Sequence, residues 1–205
     1  MFKIDLAQNR LTPIQARRFG ELGFSERKHL QEWLEHCPQA LAQGEGEELL
    51  IIQKEFDGFD DTRERLDLLA LDKEGNLVII ENKLDDTGRD VVWQALKYTS
   101  YCANLSKPQV VDIYQRYLNQ KAQQANETPA QAENRLIEFL EVDDLDAVQL
   151  NRMGSQRLML VAANYRKEVT STVLWLSQFG IACQCFKVTP YQAGAELFLN
   201  VEQII

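Results

Sequence analysis

Positive charge is in the minority in this 205-residue chain: 22 lysines and arginines face 31 aspartates and glutamates, for a net charge of −9. Taken over the whole chain, that balance argues against a generic nucleic-acid coat or a basic membrane-surface protein. No apolar run approaches the length of a transmembrane helix. The opening residues Met1, Phe2, Lys3, Ile4 and Asp5 lack the apolar region of a secretion signal. Histidines number two and cysteines four. Cys37, Cys102, Cys183 and Cys185 sit inside apolar patterns, so free buried thiols in a reducing cytoplasm are expected. Cys183 and Cys185 would share a strand face, but without a second pair nearby they do not make a zinc site. Ser155, Ser171 and Ser177 have no nucleophile-elbow context, and Gly44 and Gly46 do not open a phosphate-binding helix. Internal repeats and low-complexity tracts are absent.

What is present suits one domain with insertions. Hydrophobic residues make up 45% and charged residues 26%, an ordinary globular composition. A chain of this length buries about 70% of its unfolded surface, enough for a core without metal or disulfide staples. Residues 1–24 mix a short alternating stretch (Phe2, Ile4, Leu6) with a small helix expected over Pro13 to Leu22. Ser25 reads as an N-cap for a helix over Glu26 to Leu41, whose stripe is Leu30, Trp33, Leu34, Cys37 and Leu41. Glu26 falls on that stripe, whereas Glu32 and Glu35 fall opposite it.

Three strands follow, Leu49 to Phe56, Leu66 to Asp72 and Leu77 to Lys83, the last two joined by the hairpin signal Asp72 to Asn76. The unbroken run Leu77 to Ile80 suggests a central strand covered on both faces. Thr87 to Ala103 reads as a helix facing inward with Val91, Gln94, Ala95, Tyr98 and Cys102. Residues 105–150 predict a helical insertion with helices near 109–125, 129–140 and 143–150. The acidic run Glu141 to Asp146 reads as a solvated helix start. A strand (Leu158 to Ala163), a helix (Lys167 to Gln178) and two strands (Ile181 to Val188, Glu196 to Val201) complete the chain. Such mixed order implies one mixed β-sheet flanked by helices.

Charge stands where the sheet should be apolar. Asp67 shares a face with Leu69 and Leu71; Glu81 and Lys83 share one with Leu77 and Ile79. The hairpin makes these strands neighbours and sets Asp67 nearly opposite Glu81. Two buried carboxylates and an ammonium need partners, and a divalent cation such as Mg²⁺ or Mn²⁺ would supply one. Gln94 and Tyr98 stand one turn apart on the next helix. Glu26 is either a third carboxylate of this group or a helix-start acid favoured by the dipole. Arg63, Arg65, Lys83, Arg89 and Lys97 cluster near the site; Arg10, Arg17, Arg18, Arg27 and Lys28 form a second basic group. Either group could hold a nucleic-acid backbone or simply balance nearby acids. Trp33, Trp93 and Trp175 are expected in the core or at an interface.

Asp67, Glu81-Asn82-Lys83 and Gln94-Ala95-Leu96-Lys97-Tyr98 together resemble the PD-(D/E)XK nuclease superfamily, in the RecB-like branch with a QxxxY helix motif. Leu66 replaces the motif's proline. Residues 25–104 carry the motifs, and Glu81 to Tyr101 is similar to bacterial proteins that carry this domain at the N-terminus beside another. The resemblance implies an α/β, restriction-endonuclease-like fold, with residues 1–24 an extension, 105–150 an insertion and 151–205 the remaining strands and helix. It implies Mg²⁺ or Mn²⁺ at Asp67, Glu81 and Glu26, Lys83 as the catalytic lysine, and Gln94 and Tyr98 as the accessory pair. The implied activity is cleavage of DNA phosphodiester bonds, in a cytoplasmic protein with no membrane partner. The alternative is a catalytically inactive module of the same fold that binds DNA or a protein partner in repair or defence. A homodimer and a further C-terminal domain are also compatible with the exposed-type apolar residues Trp93, Ile204 and Ile205.

Overall fold

The computed structural model describes residues 1–58, 65–88 and 90–205. The chain opens with an antiparallel hairpin, β1 (Phe2–Asp5) and β2 (Arg10–Pro13), followed by the short strand β3 (Gln15–Ala16). These strands replace the helix expected over Pro13 to Leu22, of which only a single 3₁₀ turn, Gly20–Leu22, forms. The physical reason is that the backbone donors are used across strands. The Ile14 N–H bonds the Met1 carbonyl at 3.2 Å, and the Arg17 N–H bonds the Pro190 carbonyl at 2.9 Å.

The expected long helix at Glu26 is also shorter. A π-helical turn, Glu26–Leu30, leads into α1 (Gln31–His36). Pro38 forces the preceding Cys37 out of helical geometry (φ −133°, ψ 64°), so the helix stops there. Leu30, Leu34 and Leu41 are buried as the stripe predicts, but Cys37 is exposed and Glu35 is buried.

The strands follow the apolar runs. β4 (Leu49–Phe56), β5 (Leu66–Asp72) and β6 (Leu77–Asp86) form an antiparallel meander. In the β5–β6 turn, Asp72 Oδ1 accepts from the N–H groups of Glu74 (3.1 Å) and Asn76 (2.9 Å). Gly75 takes the left-handed conformation there (φ 77°), where a side chain would also press on Leu150. β6 is longer than expected: it runs to Asp86, and the Thr87 N–H bonds the Asn164 carbonyl at 3.3 Å. Helix α2 (Val91–Cys102) therefore starts four residues later than predicted.

The insertion carries α3 (Lys107–Ala125), opened by a Ser106–Gln109 capping box and closed by left-handed Asn126, and α4 (Ala132–Leu140). The third expected helix is only a 3₁₀ turn, Leu145–Ala147: Asp144 caps it through the Asp146 N–H, and Val148 is already extended. Then come β7 (Arg157–Asn164), α5 (Lys167–Ser177), β8 (Ala182–Ala193) and β9 (Glu196–Gln203).

The result is a mixed α/β architecture: a seven-stranded sheet flanked by helices. Its order is β3-β8-β7-β6-β5-β4, with β9 on the outer side of β8. β6, β7 and β8 run parallel; β4 and β5 run antiparallel to their neighbours. Leu77, Val78, Ile79 and Ile80 are wholly buried, as a central strand requires. One face packs Leu158, Leu160, Cys183 and Cys185 under Val91, Val92 and Ala95 of α2 and Val169 and Val173 of α5. The other includes Met159, Val161, Phe186 and Val188 in a core shared with Phe19, Leu30 and Leu34. Burial pushes the thiols of Cys102, Cys183 and Cys185 up to about 12, so they pack as small apolar groups. Trp93 and Trp175 are exposed, while Trp33 packs on the core edge. Among the described residues, no helix is long and apolar enough to cross a membrane.

Glu35 ties the insertion to the sheet. Its carboxylate accepts from Lys121 Nζ (2.6 Å) and Tyr117 Oη on α3, and from Lys54 Nζ (2.6 Å) on β4. Burial alone would raise its pKa, but the three hydrogen bonds outweigh that and hold it at about 2. A carboxylate with a depressed folded pKa contributes stability that is complete above its unfolded value of 4.5 and is lost as pH falls through about 2. Urea titration of wild type and Glu35→Gln should therefore show a gap on the order of 3 kcal/mol at pH 7 that shrinks steadily below pH 4.5. An unchanged gap at pH 2.5 would show that the carboxylate charge is not what holds the two elements together.

Candidate active site

The site is built by the register of one hairpin. The β5–β6 ladder pairs Leu68 with Ile80. One further step sets Asp67 across from Glu81, on the same face. The Asn82 N–H donates to Asp67 Oδ2 at 2.8 Å, and the Asp67 backbone eases some of the charge on the Glu81 carboxylate. Asp67 is 7% exposed and Glu81 3%, beside the wholly buried runs Leu68 to Leu71 and Leu77 to Ile80.

Of the remaining predicted residues, Lys83 and Glu26 reach the pair, and Gln94 and Tyr98 stand on the neighbouring helix. Lys83, two residues along β6, places Nζ 3.8 Å from Glu81 Oε2 and 3.7 Å from Glu26 Oε1. Glu26, at the start of the π-turn, also accepts from the Leu84 N–H at 3.1 Å through Oε2. That bond fixes the helical arm against the end of β6. Gln94 and Tyr98 belong to α2, which packs on β6 and β7. Gln94 is half-buried, whereas Tyr98 is buried in the core with Cys102 and Val110. Arg65 pairs with Glu55 and Asp57, at 3.7 and 4.0 Å. Arg63 and Arg89 lie outside the described residues.

Electrostatically the pair is unsettled. Burial raises the pKa of Asp67, and the Asn82 N–H and Lys83 offset only part of that. Burial raises Glu81 further, reinforced by the charge of Asp67 and offset in part by Lys83. Glu81 Oε1 is buried with no hydrogen-bond partner among the described residues, as are both amide atoms of Asn82. An acid with a bare buried oxygen, facing a second acid, suits a ligand that brings positive charge. The chemistry of the donor set, carboxylate oxygens alone, matches a hard divalent cation.

Gln31 also belongs to the site, beyond the residues expected from the sequence. It lies on the same helical stripe as Leu30 and Leu34, is wholly buried, and donates through Nε2 to the Asp67 carbonyl at 2.8 Å. A polar side chain on an apolar stripe is the signal that points to it. Glu32, Glu35 and His36 also bring ligand-type atoms within 4.8 Å of one another. The Glu35 oxygens there are already taken by Lys54, Lys121 and Tyr117, so that cluster is a structural ion-pair network.

No protein-family model matches the chain, and no curated protein matches it. Solved structures similar to it include a repair endonuclease from Pyrococcus abyssi, at 14% identity and a TM-score of 0.38, over 80% of this chain and 48% of that one. They also include an EndoMS–dsDNA complex, at 14% identity and a TM-score of 0.41, over 79% of this chain and 44% of that one. The chain thus spans about half the length of the solved structures it matches.

Proposed function

We propose that this chain is a Mg²⁺- or Mn²⁺-dependent nuclease that hydrolyses phosphodiester bonds in DNA. The observation that carries this reading is the facing buried pair Asp67 and Glu81, with a bare Glu81 oxygen and Lys83 within 4 Å. Asp67 and Glu81 would hold the cation, with Glu26 as a third carboxylate joined to them through Lys83. When bound, the cation would neutralise charge on a phosphate and acidify a water molecule. Lys83 would either supply positive charge for the phosphate as the ammonium or, as the neutral amine, take the water's proton. Gln94, half-buried on α2, would orient a water or a phosphate oxygen, while Tyr98 lies in the core on the same helix.

One observation favours a second reading. Lys83 bridges Glu26 and Glu81, so the protein's own ammonium offsets part of the acidic charge. That suits a module of the same fold that binds DNA or a protein partner without cutting.

Two measurements separate these readings. Purified protein incubated with linear, nicked, flap and single-stranded DNA in Mg²⁺ or Mn²⁺ should cut at least one of them. Lys83→Ala and Asp67→Asn should each slow cleavage by about 100-fold or more. No cleavage of any substrate, or equal cleavage by Lys83→Ala, would overturn catalysis.

The second is a melting experiment in EDTA. A carboxyl whose folded pKa is raised contributes stability that is full at low pH and is lost as pH rises through the raised value. Glu81→Gln should therefore melt above wild type at pH 8, by about 2–4 °C for each kcal/mol relieved, with the gap shrinking as pH falls and closing below the unfolded value of 4.5. Adding Mn²⁺ at pH 8 should raise the melting temperature of wild type and not of Asp67→Asn.

A further inference from the structure

A crevice of about 620 Å³ opens where β6 and β7 end and β8 runs on past them, lined among others by Arg17, Arg18, Asp86, Asn164 and Lys187. Carboxyl ends of parallel strands are where open α/β sheets bind ligands. Register ties this crevice to the acidic pair. Lys83 pairs with Ala162, and Ala162 pairs with Lys187, so the three form one row across three parallel strands. Residues in such a row share a sheet face, and two strand spacings set Lys187 about 10 Å from Lys83, measured between backbones.

The crevice wall is held in place by backbone. The Arg17 N–H bonds the Pro190 carbonyl at 2.9 Å, and buried Phe19 anchors the next turn. Its two acids are already matched: Glu21 lies 3.6 Å from Arg17 Nε, and Asp86 lies 2.7 Å from Arg166 Nε. Arg18 and Lys187 are exposed, and among the described residues neither has a carboxylate within 4.0 Å. Lys167 opens α5 three residues beyond the end of β7, adding the positive end of an eleven-residue helix to the same edge. Glu168 in the same turn offsets part of that charge, so in a chain of net charge −9 the unmatched cations are those of the crevice lining itself, Arg18 and Lys187.

We propose that this crevice is a phosphodiester-backbone track, with Arg18 and Lys187 as its anion-binding groups, leading the bound strand past Asp67 and Glu81. The proposal rests on the nuclease reading and adds where the substrate lies.

The test measures binding apart from cutting, in an Asp67→Asn background. A short fluorescein-labelled DNA duplex and its single strand are titrated by anisotropy over a salt series. Arg18→Gln with Lys187→Gln should weaken binding by about tenfold or more near 0.1 M salt. It should also flatten the log–log salt slope by about two for the duplex, since each phosphate no longer neutralised removes about 0.9. Arg116→Gln with Arg135→Gln removes the same charge from the insertion and should leave the slope unchanged; melting curves check that each variant folds. An unchanged slope in the crevice variant, an equal loss in the insertion variant, or no binding by the parent would each overturn the track. If the slope flattens as expected but wild type cuts nothing, the track stands and the nuclease reading falls. If wild type cuts and the slope does not change, the track falls alone.

Discussion

Two carboxylates buried face to face on adjacent strands are the constraint around which this structure is arranged. Placing Asp67 and Glu81 within an apolar hairpin costs free energy that neither repays alone. The hairpin turn fixes the cost in place. Asp72 gathers the N–H groups of Glu74 and Asn76, Gly75 takes the left-handed turn, and the register that follows sets residue 67 opposite residue 81. A slip of one residue would send one acid to the other face. The surroundings then serve the pair. Gln31 holds the Asp67 backbone, Asn82 donates to its side chain, and Glu26 ties the helical arm to Leu84 while engaging Lys83. Apolar burial along β5, β6 and β7 supplies the stability that such an arrangement consumes.

Whole-chain charge hides where the charges are. Much of the acidity is committed: Glu35 to Lys54 and Lys121, Glu141 to Lys73, Glu47 and Asp72 to Arg157. Asp67 and Glu81 are a further part, and a cation would cancel them. In the crevice beyond the ends of β6 and β7, Arg18 and Lys187 have no ion-pair partner among the described residues. A net charge of −9 therefore limits non-specific attraction at long range, while leaving a local path on which a polyanion would be accepted.

The strands were legible because their composition left no alternative. Leu66–Asp72 carries a dense leucine pattern bounded by turn residues, and its predicted ends match the structure. Asp67 and Glu81 were legible as charges at core-facing parity, which needed only the strand period and one hairpin. The helices were less legible, because tertiary partners set their limits. Thr87 looks like a helix start, yet its N–H is taken by β7 and the helix waits until Val91. Residues 14–17 look like a helical first turn after Pro13, yet β8 takes the Arg17 donor. Lys187 gave no local signal at all. Its place beside Lys83 depends on two parallel registers joined through β7, across more than a hundred residues of chain.

Glu35 and Glu81 act as an internal comparison. Both are glutamates with 7% or less of their surface exposed, in the same domain core. Burial pushes both toward the neutral form. Glu35 nevertheless titrates low, because Lys121, Lys54 and Tyr117 each donate a short hydrogen bond to it. Glu81 titrates high, because burial is reinforced by the charge of Asp67 while Lys83 stands off at 3.8 Å; among the described residues one of its oxygens has no hydrogen-bond partner. Partners, as well as the deeper burial of Glu81, set the two apart. A glutamate fully satisfied by its own chain has nothing left to offer a ligand, and serves to join α1, β4 and α3. One left incomplete stores the free energy that binding a cation would release, so the site is where the fold declines to satisfy its own polar groups.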